Sequence, residues 1–97
     1  MNNNSFTKDP NNVEWFGVDW TVRLAGDDLA EVDTIDTSTW IVPAGLTQVA
    51  VMTTDNKTGV KLSGGTVGNT YRVTNRIVTA VNGETLDGTI EITIVEE

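Results

Sequence analysis

The sequence predicts an all-β fold, a two-sheet antiparallel sandwich of about seven short strands. Three observations predict it. Apolar residues recur with a period of two, turn signals return about every eight to twelve residues, and no segment sustains the helical period of 3.6. Ninety-seven residues are the length of one domain with one core.

The clearest strand pattern covers residues 16–24, where five apolar side chains alternate with small or polar ones. The apolar positions are Phe16, Val18, Trp20, Val22 and Leu24. Strict alternation of this kind predicts a half-buried strand. An acidic connection follows over residues 27–36, with a short strand predicted near residues 32–35.

The middle of the chain alternates short strands with turns. Residues 39–42 and 46–54 are predicted strands, separated by the turn Pro43-Ala44-Gly45, in which proline presets φ and glycine is permissive. Residues 55–59 predict a hairpin loop and residues 60–62 a short strand. Residues 37–54 carry no charge, which fits either a strand covered on both sides or an interaction face.

The C-terminal third predicts a hairpin. Residues 70–81 alternate, and Asn82-Gly83 predicts a type I′ turn, which needs positive φ at both positions. Asp87-Gly88 predicts a bulge or a second turn at the foot of a last strand over residues 89–95. The predicted core is Trp20, Val22, Val51, Leu62, Tyr71, Val73, Ile77, Ile90 and Ile92.

One tyrosine narrows the fold class to an immunoglobulin-like sandwich. Tyr71 lies near the start of the penultimate strand, two residues before the inward position of Val73. In immunoglobulin-type sandwiches a tyrosine placed in this way ties its hydroxyl to backbone upstream. The alternative is that Tyr71 is an ordinary inward-facing aromatic residue.

The N-terminal residues 1–12 predict a flexible arm, with five asparagines and Pro10, ahead of a sandwich domain over residues 13–97. We expect the arm to become ordered on a partner, with Phe6 as apolar anchor and Lys8 and Asp9 as polar contacts. Trp15 follows, on the face of its strand opposite the core set. The partner-docking candidates are therefore Phe6, Lys8, Asp9, Pro10 and Trp15; for Trp15 the alternative is a lid over the sheet edge.

Charge and composition exclude several classes of function. Fourteen acidic and six basic residues give a net charge of −8, which disfavours nucleic acid and anionic membranes as partners and suits docking onto a basic protein surface. No apolar run approaches the roughly 18 residues of a spanning helix. The start of the chain lacks the apolar region of a signal peptide, so we expect synthesis in a cytoplasm.

The residue types also argue against catalysis and metal binding. The chain has no histidine and no cysteine, which removes the usual general base, the usual nucleophile triads and the common zinc and copper ligands. We therefore expect no catalytic residue, no cofactor and no metal. Asp27, Asp28, Glu31, Asp33 and Asp36 could supply oxygen ligands to calcium, but their spacing is not that of an EF-hand loop, and a solvated loop is the preferred interpretation.

Several segments together resemble small tailed-phage structural proteins described as fiber–tail adaptors, over residues 8–95. The segments are residues 8–10, 18–20, 39–47, 61–66, Gly68, 71–77 and 79–83, of which Trp40-Ile41-Val42-Pro43-Ala44-Gly45-Leu46 and Leu62-Ser63-Gly64-Gly65-Thr66 are the most specific. The resemblance implies a bacteriophage virion protein, made in the host cytoplasm, that docks tail or fiber components at the tail or head–tail region. Its partners would be tail, portal or fiber proteins, contacted by ring-like multiple copies.

Two other functions remain open at this point. One is a capsid decoration protein with an immunoglobulin-like fold. The other is a carbohydrate-binding or adhesion module that uses Trp15 and Trp40 as stacking platforms; two of these aromatic side chains exposed side by side would favour it.

Overall fold

A computed structural model describes residues 5–26 and 32–96. These residues form seven strands in two sheets, which confirms the all-β sandwich. The strands are β1 (Ser5–Lys8), β2 (Glu14–Asp19), β3 (Ile35–Ile41), β4 (Leu46–Thr53), β5 (Lys57–Gly64), β6 (Thr70–Thr79) and β7 (Thr85–Ile94). Within the same residues, no helix has the length and hydrophobicity needed to cross a membrane.

One sheet has four strands in the order β1-β7-β6-β3, and the other has three in the order β2-β5-β4. Every neighbouring pair is antiparallel except β1 with β7, which run parallel with Phe6 beside Ile92. Two pairings shift register: β3 with β6 between Ile35 and Thr37, and β4 with β5 between Gln48 and Ala50. The chain leaves β3 at an edge of the first sheet and enters β4 at an edge of the second.

The core lies between the sheets and is mostly aliphatic. Its buried apolar residues are Phe16, Trp20, Leu24, Ile35, Trp40, Leu46, Val60, Leu62, Val73, Ile77, Ile90, Ile92 and Ile94. Strand β7 illustrates how the sequence forms this core. Its residues Ile90, Ile92 and Ile94 alternate with other side chains, and every second side chain of a strand points to the same face.

A buried hydrogen-bond network links the two sheets through Asn75 of β6. Its Oδ1 accepts bonds from Trp20 Nε1 at 3.1 Å and from the Thr58 hydroxyl at 2.6 Å. Its Nδ2 donates to the Ser38 hydroxyl at 2.8 Å and to the Thr39 carbonyl at 3.1 Å. Every donor and acceptor of this amide is therefore engaged, which is what allows it to be fully buried.

The predicted strand over residues 16–24 is too long. β2 ends at Asp19, whose carboxylate accepts a bond from the Thr21 N–H at 3.0 Å, and the Leu24 N–H then bonds the Trp20 carbonyl at 2.9 Å. This Asx turn ends the strand and its two-residue alternation, because an aspartate side chain can accept a backbone N–H hydrogen bond that the sheet would otherwise use. Val22 consequently lies outside the core, 84% exposed, and the prediction of its burial is wrong.

Two other members of the predicted core also differ. Val51 stands opposite Val60 on the inner side of β4, yet it is 51% exposed because β4 is an edge strand. Tyr71 is half-buried. Its hydroxyl accepts a bond from the Thr66 backbone N–H at 3.1 Å, so the predicted tie to upstream backbone is present. The immunoglobulin-like assignment itself stays a prediction.

Three local predictions about turns and short strands are wrong. Asn82 does not have positive φ, so the β6–β7 connection is not a type I′ turn; instead the Asp33 carboxylate accepts the N–H groups of Val81 and Asn82. Gly88 lies inside a continuous β7, where the Trp20 ring passes 3.0 Å from the position of a Cβ atom. Residues 32–34 form no strand, and β3 begins at Ile35.

The extended N-terminal arm is not confirmed. Ser5–Lys8 forms the edge strand β1, and the Val95 N–H bonds the Lys8 carbonyl at 2.9 Å. A four-residue parallel pairing with a strand more than eighty residues away leaves no local pattern in the sequence. Residues 1–4 lie outside the described residues.

Candidate docking face

On the outer face of the four-stranded sheet, the two central strands β6 and β7 carry polar side chains that pair with each other. β6 and β7 place threonines and oppositely charged side chains directly across from each other. The contacts are Arg72–Glu91 at 3.3 Å, Arg76–Asp87 at 2.8 Å, Thr70–Thr93 at 2.9 Å and Thr74–Thr89 at 3.0 Å. Hydrogen bonding to Arg76 lowers the pKa of Asp87 from its ordinary value, with a further contribution from the arginine charge.

The outer face of the three-stranded sheet is apolar at its centre. Trp15 of β2 and Met52 of β4 are each about half exposed and meet above Gly59 of the central strand. A Cβ atom at Gly59 would lie 2.9 Å from Met52 Cγ and 3.5 Å from Trp15 Cε3. At the neighbouring Gly17, the three atoms nearest to a Cβ position are all backbone. The result is an open groove of about 400 Å³.

We call this surface the docking face. It consists of the outward residues of the three strands around the groove: Trp15, Gly17, Asp19, Ala50, Met52, Lys57, Gly59 and Lys61. The strand register produces it, since Trp15 is opposite Lys61, Gly17 opposite Gly59 and Asp19 opposite Lys57.

Two lysines of β5 give the docking face its charge. Lys57 and Lys61 lie on either side of Gly59, and the one acidic residue of the face is Asp19. The pKa of Asp19 is lowered from its ordinary value, first by hydrogen bonds from the Thr21 side chain and backbone, and in addition by the charge of Lys57. On a chain of net charge −8, this face therefore carries more basic than acidic side chains.

The other basic residues are used elsewhere. Arg72 and Arg76 pair with carboxylates on the opposite sheet. Arg23 stacks 5.1 Å from the centre of the Trp20 ring and donates to the Asp87 carbonyl. Lys8 is fully buried, and its ammonium donates to the carbonyl of Gly64 at 2.7 Å and to that of Asp9 at 2.9 Å.

The five docking candidates from the sequence do not form one cluster. Phe6 is half-buried, with its ring 5.6 Å from that of Phe16 in an edge-to-face contact. Lys8 and Asp9 are buried, and Pro10 is half-buried in the turn that follows β1. Trp15 alone lies on the docking face. The docking role of these residues stays a prediction, with the exposed indole of Trp15 in the most accessible position.

Sequence reasoning missed the rest of the docking face. Residues 55–59 were predicted as a loop, whereas Lys57 and Gly59 belong to β5. A signal was present: Lys57, Gly59 and Lys61 alternate with Thr58, Val60 and Leu62, a period of two that marks a strand with one buried face. Its meaning depended on the register with Trp15 and Met52, which the sequence alone does not supply.

The charge-free stretch 37–54 forms most of β3 and β4, which are edge strands of the two sheets. Several of its apolar side chains are exposed, namely Ile41, Val49, Val51 and Met52. It is therefore not a strand covered on both sides. Through Met52 this stretch borders the groove, so the predicted interaction surface and the docking face are continuous.

Trp40 is not a second stacking platform. It lies in β3 of the other sheet and is only 9% exposed, with no hydrogen-bond partner for Nε1 among the described residues. The side-by-side pair of exposed indoles that would favour a carbohydrate-binding module is therefore not formed.

Of the five acidic residues considered as calcium ligands, the structure describes only Asp33 and Asp36. Asp27, Asp28 and Glu31 lie outside the described residues, and in the part of the chain that is described no three acidic, histidine or cysteine side chains converge on one point. Asp33 is buried and serves the fold. Burial acts to raise its pKa, but hydrogen bonds from the N–H groups of Val81, Asn82 and Thr34 outweigh that effect, and the pKa lies well below its ordinary value.

Comparison with protein families gives a match over most of the chain. A family model described as podophage GP4 fiber-tail adaptor protein gp77 matches residues 8–93. Neither the curated proteins nor the solved structures provide a match.

Proposed function

Because the chain belongs to the podophage GP4 fiber-tail adaptor protein gp77 family, we propose that it joins a fiber component to the tail in the virion. It does so as a non-enzymatic structural protein. Its partners are other tail, portal or fiber proteins, and it is present in ring-like multiple copies in the tail region. Synthesis takes place in the host cytoplasm before assembly.

The observation that carries this proposal is the difference between the two outer faces. One face pairs its own charges and hydroxyls, and the other leaves the Trp15 indole, the Met52 thioether and Gly17 exposed. Exposed aromatic and methionine side chains around a recess are typical of the anchoring centre of a protein–protein interface. A stable interface buries on the order of 1,000 Å² or more, so the partner would extend from the groove to the neighbouring β4 edge.

The residue types support the non-enzymatic part. The absence of histidine and cysteine from the whole sequence leaves carboxylates, lysines and one tyrosine for any acid–base role. The carboxylate of Asp33, whose pKa lies well below its ordinary value, accepts hydrogen bonds from backbone N–H groups and holds the β6–β7 connection.

Quantitative mass spectrometry of purified virions tests the proposal, combined with electron microscopy of particles that lack the protein. We expect a copy number far below that of the major capsid protein, and tails without fibers when the protein is removed. A copy number comparable to that of the major capsid protein would identify a decoration protein instead. Normally fibered tails in its absence would contradict the adaptor role.

A further inference from the structure

We propose that the docking face binds an extended acidic segment of another virion protein, with an apolar side chain over Gly17 and carboxylates on Lys57 and Lys61. This inference rests on the proposed adaptor function and specifies the chemistry of its partner. It differs from what the net charge of −8 predicts, which is a basic partner surface.

Local charge decides the nature of the partner, because charges interact strongly only within about 8–10 Å at physiological salt. The docking face has two lysines and one aspartate, and the aspartate lies across from Lys57. Lys61 stands opposite Trp15 on one side and Ala50 on the other, neither of which carries charge. A carboxylate is the group that complements such a side chain at an interface.

The spacing of the lysines describes the partner segment. Lys57 and Lys61 are four residues apart in one strand, so their Cα atoms are separated by about 13 Å. In an extended segment, carboxylates four residues apart have the same separation, and the residue midway between them points to the same side. That central side chain would lie over Gly17, in contact with Trp15 and Met52. The expected pattern is acidic, any residue, apolar, any residue, acidic.

A second copy of this chain, meeting through the same face, fits less well. Lys57 and Lys61 flank Gly59 on the central strand, so a two-fold axis through the groove places lysine opposite lysine in either strand orientation. Like charges in direct opposition disfavour a complex, and the net charge of −8 on each copy adds long-range repulsion.

Site-specific photo-crosslinking in the virion tests this directly. The phage that encodes the chain is propagated with Met52→p-benzoylphenylalanine, and with Arg72→p-benzoylphenylalanine as the matched control on the opposite sheet. We expect position 52 to cross-link to a peptide of a different virion protein that carries the acidic and apolar pattern, and position 72 to give at least tenfold less product. A cross-link from position 52 to a second copy or to a basic peptide, or equal products from both positions, would overturn the proposal.

Charge removal on the two faces gives an independent measurement. Lys57→Gln with Lys61→Gln and Arg72→Gln with Arg76→Gln change the net charge equally, and circular dichroism melting verifies that both fold. Incorporation into particles should fall about tenfold for the lysine variant and stay within about twofold for the arginine variant. Equal incorporation of the two variants contradicts the acidic partner while leaving the adaptor role intact. Absence of the wild-type chain from virions would remove both proposals.

Discussion

The two sheets of this sandwich differ in how their outer faces are completed. The four-stranded sheet sets arginine against carboxylate and threonine against threonine along β6 and β7, so these side chains have their partners within the chain. The three-stranded sheet sets glycine against glycine and leaves Trp15 and Met52 to solvent. Availability for a partner therefore depends on what cross-strand neighbours leave unsatisfied, which exposure alone does not reveal.

The two sheets share one core, and their outer faces do not contribute to it. We therefore expect that substitutions can change stability and docking independently. We expect inward-facing residues to determine the free energy of unfolding, and the proposal assigns association to the outward residues of the docking face. The following predictions test that separation, beginning with the largest effect on stability.

The amide of Asn75 should matter most, because it links the inner sides of both sheets. Asn75→Ala removes a partner from Trp20, Thr58 and Ser38, and each buried group left without a bond costs about 1–3 kcal/mol. Urea denaturation measures the free energy of unfolding. Thr74→Ala, the preceding residue on the polar outer face, should cost about 1 kcal/mol or less, and an equal loss in both variants would contradict the separation.

Acid should weaken the protein in part through Asp33. Its pKa is lower in the folded chain than the ordinary value of about 3.9, so its contribution is complete above that pH and is lost as the pH falls below it. Asp33→Asn should lower the melting temperature at neutral pH by several degrees. The difference from wild type should then shrink as the pH falls toward 3, because the wild type loses the contribution of the Asp33 charge. The titration of Asp19 and Asp87 is the same in both proteins and cancels in the comparison. A constant difference would mean that the charge of Asp33 is not responsible.

The ion pairs of the polar face should contribute little. Arg76→Ala removes the exposed bridge to Asp87 and should lower the free energy of unfolding by about 0.2–1 kcal/mol, less at high salt. Chemical denaturation at two salt concentrations measures both values. A loss above 2 kcal/mol would show that the ion pairs of this face are needed to stabilise the fold, contrary to the prediction.

Trp15 should have the smallest effect on stability. Since its indole is half exposed, we expect Trp15→Ala to change the free energy of unfolding by about 0.5 kcal/mol or less while particle incorporation falls. Val13→Ala, an exposed residue just before β2, is the control that should affect neither. Strong destabilisation by Trp15→Ala would identify the indole as a lid over the sheet, the alternative that the sequence left open.

The sequence predicted those parts of the fold that depend on local alternation. The last strand, β7, was predicted from the alternation of Ile90, Ile92 and Ile94. The turn between β3 and β4 was predicted from Pro43 and Gly45, and Gly45 has a φ of 106°. The pattern failed at Val22 because the carboxylate of Asp19 ends the strand through a side-chain contact that hydrophobicity does not encode. It failed again where distant pairing decides the structure, as in β1.

The docking face could also be predicted from the sequence only in part. Trp15 was identifiable because a large aromatic residue stood on the polar side of its strand. Lys57, Gly59 and Met52 were not, since they become neighbours of Trp15 only through the register of three strands that are distant in sequence. A surface built across strands can be recognised only once their alignment is known.

The register shifts in β3 and β4 have a consequence for the time before assembly. These two edge strands contain the charge-free stretch, and a flat uncharged edge is a template on which further copies can stack into fibrils. A bulge interrupts the regular row of backbone donors and acceptors and increases the local twist, so a foreign strand can pair with only part of the edge. We therefore expect the two bulges to limit edge-to-edge pairing between copies of the chain before assembly.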